Sequence, residues 1–156
     1  MKYTIYHSPI CDLIIIGSKD LIDTVTFDNP KARVLTDLLE EDSSEFKDLI
    51  RQFDEYFEKK RKSFDINLNF QGTPFQKKVW QALREIPYGE TLSYKELAEK
   101  AGFPNASRAV GSANRVNSFS IVVPCHRVIK SNGDLAGFAG RPEVKRALLN
   151  LEGVEI

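Results

Sequence analysis

The sequence lacks most features that would assign it quickly. It has no charge excess: 22 Lys plus Arg stand against 22 Asp plus Glu in 156 residues. That excludes the polybasic chain of high pI that marks a salt-driven nucleic-acid binder. It has no apolar run near the roughly eighteen residues of a membrane span, so no membrane partner is expected. Its first residues (Met1-Lys2-Tyr3-Thr4-Ile5-Tyr6) lack the apolar stretch of an export signal. It has only two cysteines, Cys11 and Cys125, too few for a disulfide scaffold. Reduced thiols in a cytoplasmic setting are therefore expected. His7-x-x-x-Cys11 offers two ligands, which fall short of a structural zinc site, and no metal is expected.

One further absence is local. No Asp or Glu occurs between Glu99 and Asp134, a stretch that holds Lys100, Arg108, Arg115, Arg127 and Lys130. Residues 1–70 carry 10 Lys/Arg and 14 Asp/Glu, whereas residues 71–156 carry 12 and 8, so the neutral total is a cancellation of −4 and +4. An acid-free run repels no polyanion along its length. It is equally the mark of an uncharged core.

What is present suffices for a core: 42% hydrophobic residues and ten phenylalanines, in a length that fits one full domain or two small ones. Residues 2–7, Leu13–Ile16 and Val25–Phe27 read as strands of a small antiparallel sheet. Phe46, Leu49, Ile50, Phe53 and Phe57 have helical spacing over 43–61, with Ser43 or Ser44 as cap and the basic cluster Lys59–Lys62 in the last turn. Phe64 to Phe70 alternates again, as a strand or an extended linker, and a boundary falls near residue 71.

Beyond it the pattern is helical. Thr73-Pro74-x-Gln76 opens one helix, with Phe75, Val79, Leu83 and Ile86 as its stripe, and Pro87-Tyr88-Gly89 stops it. Ser93-x-x-Glu96 opens a second, ended by Gly102. A third runs from about Asn105 to Arg115, and the pair forms a helix-turn-helix pattern. The third helix has little bulk (Ala106, Ser107, Ala109, Gly111, Ser112, Ala113). Close packing against another helix explains that, and so does entry into a tight groove with Arg108 projecting. The fold class is therefore α+β: a small sheet with a helix, then a mainly helical, winged-helix-like unit.

Ile121-Val122-Val123 reads as a buried strand, followed by Pro124-Cys125-His126-Arg127-Val128-Ile129. A reactive cysteine needs its thiolate stabilised, which an imidazole and nearby cations provide. Strand neighbours point to opposite faces, so adjacency alone does not turn His126 toward Cys125. Pro142 begins a last helix with Val144, Leu148 and Leu151 on one face. Glu152 lies on that side, either frayed into solvent or turned inward to hold His126.

In order, Arg108-Ala109-Val110-Gly111, Asn117, Pro124 to Ile129 and Leu148-Leu149-x-x-Glu152 resemble the O6-alkylguanine-DNA alkyltransferases, the methylated-DNA–protein-cysteine methyltransferases. The specific part spans roughly residues 73–153. The resemblance implies an N-terminal domain, 1–70, of ribonuclease H-like layout and a helix-turn-helix DNA-binding and alkyl-transfer domain, 71–156. It implies direct reversal of DNA damage: Cys125 takes the alkyl group of O6-alkylguanine, and of O4-alkylthymine, once and irreversibly. His126 would then act as base through a water, Glu152 as its orienting acid, and Tyr94 as proton donor to the guanine and contact to its phosphate. Asn117 would be the hinge. Arg108 would fill the stack after base flipping, with Ala106, Ser107, Ala109, Gly111, Ser112, Arg115 and Tyr94 on DNA in the minor groove. Pro124, Val128, Ala139 and Gly140 would line the guanine pocket. No cofactor is implied, and a monomer is expected. The chain departs from the family at Ser118, where proline is usual, and at Ala139, where serine is common. A lesion-binding module without transfer is the alternative.

Overall fold

The computed structural model describes residues 1–135 and 141–156. The chain divides into two compact units, Met1–Phe70 and Gln71–Ile156.

In the first unit β1 (Lys2–His7), β2 (Asp12–Ser18) and β3 (Leu21–Phe27) form an antiparallel meander. A short β4 (Glu40–Glu41) joins β1 in parallel, giving the order β3-β2-β1-β4. The register places Tyr3, Ile5, Ile14 and Ile16 on one face and Thr4, Tyr6, Leu13, Ile15, Val25 and Phe27 on the other. Both faces are covered, so β2 is buried continuously from Leu13 to Gly17 rather than alternating. On one side lies α1 (Pro30–Thr36), whose Ala32 packs with Ile14 and Ile16. Its seven residues are too few to show a hydrophobic period, although Asn29 caps it and Pro30 fills its first turn. On the other lies α2 (Lys47–Phe57), whose Phe53 stacks on Tyr6 at 5.3 Å between ring centroids.

Two expectations are corrected here. The cap is Asp42, whose side chain accepts from the Ser44 N–H at the head of a 3₁₀ turn, Ser43–Phe46. The helix ends at Phe57, because Lys59 takes a left-handed φ of 63°. The basic cluster therefore lies past the last turn, where Arg61 pairs with Glu55 at 2.9 Å. Residues 64–70 run extended and bond β3 at one point, through Ile22 N–H to Asn67 O and Asn69 N–H to Ile22 O.

The second unit packs three helices on one another: α3 (Pro74–Arg84), α4 (Tyr94–Ala101) and α5 (Ser107–Arg115). Both capping boxes, Thr73 with Gln76 and Ser93 with Glu96, are formed. Gly102 ends α4 at φ 91°, a conformation that a side chain disfavours. The indole of Trp80 donates to Ala113 O at 2.9 Å and fixes α5 on α3. Then β5 (Leu92–Ser93) pairs in parallel with β6 (Val128–Ile129), and α6 (Pro142–Leu151) closes the unit. Among the described residues no helix is long and apolar enough to cross a membrane.

Ile121-Val122-Val123 is not a strand. It is a tight turn, with Val122 N–H bonded to Ser120 O, Val123 N–H to Phe119 O, and Ile121 at φ 71°. The reason is Asn117. Its Nδ2 donates to Val123 O (2.9 Å) and Phe119 O (3.3 Å), and its Oδ1 accepts from Phe119 N–H (3.0 Å). Those are the backbone groups that a ladder would have used.

Candidate active site

Cys125, His126 and Arg127 form one turn of 3₁₀ helix after Pro124. A turn, unlike a strand, does not send neighbours to opposite faces, and all three side chains are buried. Buried polar groups need partners. His126 finds one in Glu152: Nε2 lies 2.7 Å from Oε2. Glu152 caps the C-terminal end of α6 and is turned inward, 4% exposed, rather than frayed. Gly89, at φ 82°, allows that approach, since a side chain there would stand 3.2 Å from Glu152 O.

The charge of Glu152 is met by Arg127, which donates from Nε to Oε1 at 2.8 Å and from Nη2 to Oε2 at 3.1 Å. Nη1 of Arg127 bonds Ile86 O at 2.7 Å, and its guanidinium lies over the Tyr88 ring. Burial alone would raise the Glu152 carboxyl, but the hydrogen bonds of His126 and Arg127 and the charge of Arg127 prevail and hold it at about 2. Because Arg127 already neutralises the acid, His126 stays neutral, its pKa pushed down by burial against the pull of Glu152. An ionised carboxylate only accepts, so the imidazole proton sits on Nε2. Nδ1 is buried with no hydrogen-bond partner among the described residues, its lone pair open.

The Cys125 thiol is pushed up by burial, opposed by the nearby Asn117 side chain and by the charge of Lys145. The resting group is thus a thiol. Lys145 is 1% exposed and donates to Val128 O. Tyr94 opens α4, directly after the β5 residues that pair with Val128 and Ile129, and so reaches the same place. It is half-buried, its phenol raised by burial, and it feels the charges of Arg115 and Cys125.

Tyr94 also borders a cleft of about 500 Å³ with Ser107, Arg108, Gly111, Ser112, Arg115 and Lys130. Arg108, Ala109, Ser112 and Arg115 are exposed on this face of α5, while Val110, Ala113 and Asn114 face inward. The small residues fall on both the inner and the outer face of α5. Gly111 lies beside the Tyr94 ring, which a side chain there would meet at 3.5 Å, an ordinary contact, and the outer face stays low. Ala106 precedes the helix without a capping bond. Ala139 and Gly140 lie outside the described residues. His7 meets Asp12 at 2.9 Å, not Cys11, and no group of three metal-ligating side chains occurs among the described residues.

The structure brings together Cys125, His126, Glu152, Asn117 and Tyr94, and aligns Arg108, Ser107, Ser112 and Arg115 on the cleft. Sequence reasoning missed three polar side chains buried there: Arg127 as partner of Glu152, Lys145 and Asn114. Lys145, Leu149 and Glu152 share one helical face, and Asn114 shares one with Val110, so period alone flags both. Nothing local flags Arg127.

Fold and family models agree on the class. A model described as "6-O-methylguanine DNA methyltransferase, DNA binding domain" matches residues 74–154, and one described as "6-O-methylguanine DNA methyltransferase, ribonuclease-like domain" matches residues 1–70. The chain belongs to the 6-O-methylguanine DNA methyltransferase family. It is 46% identical to a methylated-DNA–protein-cysteine methyltransferase of Methanosarcina acetivorans, over 98% of this chain and 99% of that one. It is 41% identical to the constitutive methylated-DNA–protein-cysteine methyltransferase of Bacillus subtilis, over 97% and 95%. Among solved structures it resembles Mycobacterium tuberculosis OGT in complex with DNA, with a TM-score of 0.89 and 41% identity over 97% of this chain and 92% of that one.

Proposed function

We propose that this chain repairs alkylated DNA directly, moving the alkyl group of O6-alkylguanine in duplex DNA to the sulfur of Cys125, once per molecule. The observation that carries the reading is the neutral His126, held by Glu152 with Nδ1 open, next in the chain to a buried cysteine. His126 takes the thiol proton at Nδ1, directly or through a water. Sγ then bonds the alkyl carbon as the carbon–O6 bond breaks. The electron pair of that bond passes to the guanine, which takes a proton from Tyr94 at the ring. One proton leaves the thiol and one reaches the base, so the step balances. A thioether has no route back to a thiol here, hence one turnover.

A base in a duplex hides its O6 group, so it must be flipped out, at a cost of a few kcal/mol. Arg108 fills the gap from the exposed face of α5, which enters the minor groove as a monomer's single contact surface, with Ala106, Ser107, Ala109, Gly111, Ser112 and Arg115 against the backbone. Asn117 is the hinge between α5 and the cysteine turn. Pro124 and Val128 border the guanine. O4-alkylthymine is a second substrate on the same chemistry. The protein's own residues supply the nucleophile, base and acid.

The test is the intact mass of the protein after incubation with an O6-methylguanine duplex. One methyl group is expected, on Cys125, and none in Cys125→Ala. Retention on DNA without mass gain makes the chain a lesion-binding module instead. Turnover beyond one equivalent makes it a hydrolase.

A further inference from the structure

One buried cation of the site has no role in the steps above. Arg127 is 6% exposed and joins three segments that the sequence keeps apart. Its Nε and Nη2 hold the two oxygens of Glu152, at the end of α6, at 2.8 Å and 3.1 Å, a fork matched to a carboxylate. Its Nη1 donates to Ile86 O, 2.7 Å away, in the turn that follows α3. The Tyr88 ring of the same turn has its centroid 5.8 Å from the guanidinium carbon, and the Tyr88 hydroxyl donates to Leu151 O at 3.4 Å. The turn and the end of α6 are thus tied to one another, and the guanidinium spans them. His126 takes what the fork leaves: its Nε2 meets Oε2, the oxygen that Arg127 holds through Nη2.

We propose that Arg127 is a positioning residue for alkyl transfer: from its seat on Ile86 O and the Tyr88 ring it sets the rotation of the Glu152 carboxylate, and through that carboxylate the imidazole of His126, with Nδ1 left bare. In this assignment Arg127 acts only through Glu152. Its fork fixes the carboxylate plane because both oxygens are held, whereas a single ammonium is a point charge without a fork. Its charge offsets that of the carboxylate within the same buried cluster, so Glu152 does not draw a second proton onto the ring. Without that offset the carboxylate would face an imidazolium, which has no lone pair to take the thiol proton. The charged groups that face His126 are Glu152 and Lys145 from α6 and Arg127 from its own turn, with Cys125 next in the chain. Lys145 donates to Val128 O, while the two oxygens of Glu152 are met by Arg127 and His126. The inference rests on the proton-acceptor role of His126 in the proposed function.

The experiment follows the single-turnover rate of benzyl transfer from free O6-benzylguanine to Cys125, on the full chain, between pH 5 and pH 9. Arg127→Lys keeps the charge and loses the fork; it is expected to slow transfer about fivefold at every pH, the worth of one hydrogen bond. Arg127→Met loses both; its rate is expected to fall at least about tenfold below that of Arg127→Lys at pH 6 and to converge with it at pH 9, where the imidazole is again unprotonated. The ring nitrogen resonances of His126 at pH 6 are expected to be those of a neutral imidazole in the parent and in Arg127→Lys, and of an imidazolium in Arg127→Met. In a Glu152→Gln background, Arg127→Met is expected to change the rate no further. That pair of variants leaves no charge buried alone in the double replacement, so it decides the matter even if Arg127→Met by itself does not fold. An acid limb in Arg127→Met that coincides with the parent's, or a further loss on adding Arg127→Met to Glu152→Gln, overturns the assignment. If the parent takes no benzyl group on Cys125, the proposed function fails first; if it does and the acid limb is unmoved, only the role of Arg127 falls.

Discussion

Glu152 stands in the last turn of a helix, where the dipole disfavours negative charge. It is nevertheless held ionised, because Arg127 and His126 are folded onto it from the cysteine turn. Such a pair is costly to bury and costlier to break. Glu152→Gln leaves Arg127 buried without its counter-charge and is expected to lose about 3–5 kcal/mol in chemical denaturation. The same change frees His126 to rotate, so transfer to Cys125 slows beyond what the lost stability explains, as the rate measured well below the melting temperature will show. The Cys125 thiol, pushed up by burial, is expected to react with iodoacetamide slowly at neutral pH and faster as pH rises. A fast, pH-independent reaction at neutrality contradicts this.

At the scale of elements, α5 is fixed from within and open outside. Its inner face is set by Trp80 and Tyr94, and its outer face presents Arg108. Arg108→Ala is expected to weaken repair in duplex DNA at least tenfold more than transfer from free O6-benzylguanine, since a free base needs no gap filled; equal losses remove the stack-filling role. Gly102→Ala forces a side chain into the left-handed region at the end of α4 and costs about 1 kcal/mol, read as a lower melting temperature. The elements that the sequence announces are those with local codes. Thr73 with Gln76, Ser93 with Glu96 and Gly102 each satisfy backbone groups within a few residues, and each formed as read. The run Ile121–Val123 misleads because its β-branched residues favour a strand, while the competing bonds come from Asn117, several residues before. The choice between an inward and a frayed Glu152, and the pairing of Arg127, are illegible for a related reason. Their partners are far apart in the chain, and no period connects them.

Over the whole molecule, two pH effects add. The carboxyl of Glu152 is depressed to about 2 from an ordinary 4.5, so its contribution is complete above about pH 4.5 and is lost as pH falls through about 2. His126 is also depressed, so the unfolded chain takes up that proton first, and stability declines as pH falls below about 6.5. Denaturation midpoints are expected to fall steadily from pH 7 to pH 3, with a shallower acid limb in Glu152→Gln. With Arg108, Arg115 and Lys130 as the cations of the cleft, the logarithm of DNA affinity is expected to fall with a slope of about −3 against the logarithm of salt. A slope near −8 assigns binding to a broad basic surface instead.

The sequence by itself determined the α+β class, the capped helices of the second half, the cancellation of charge between halves and the family, because these rest on period, local hydrogen-bond codes and a motif contiguous in the chain. The tertiary structure alone decided that Cys125 lies on a turn and not a strand, that Glu152 is inside and paired with Arg127, and which nitrogen of His126 is open. Each of those depends on which distant group satisfies a buried charge or donor, and burial is a property of the packed chain.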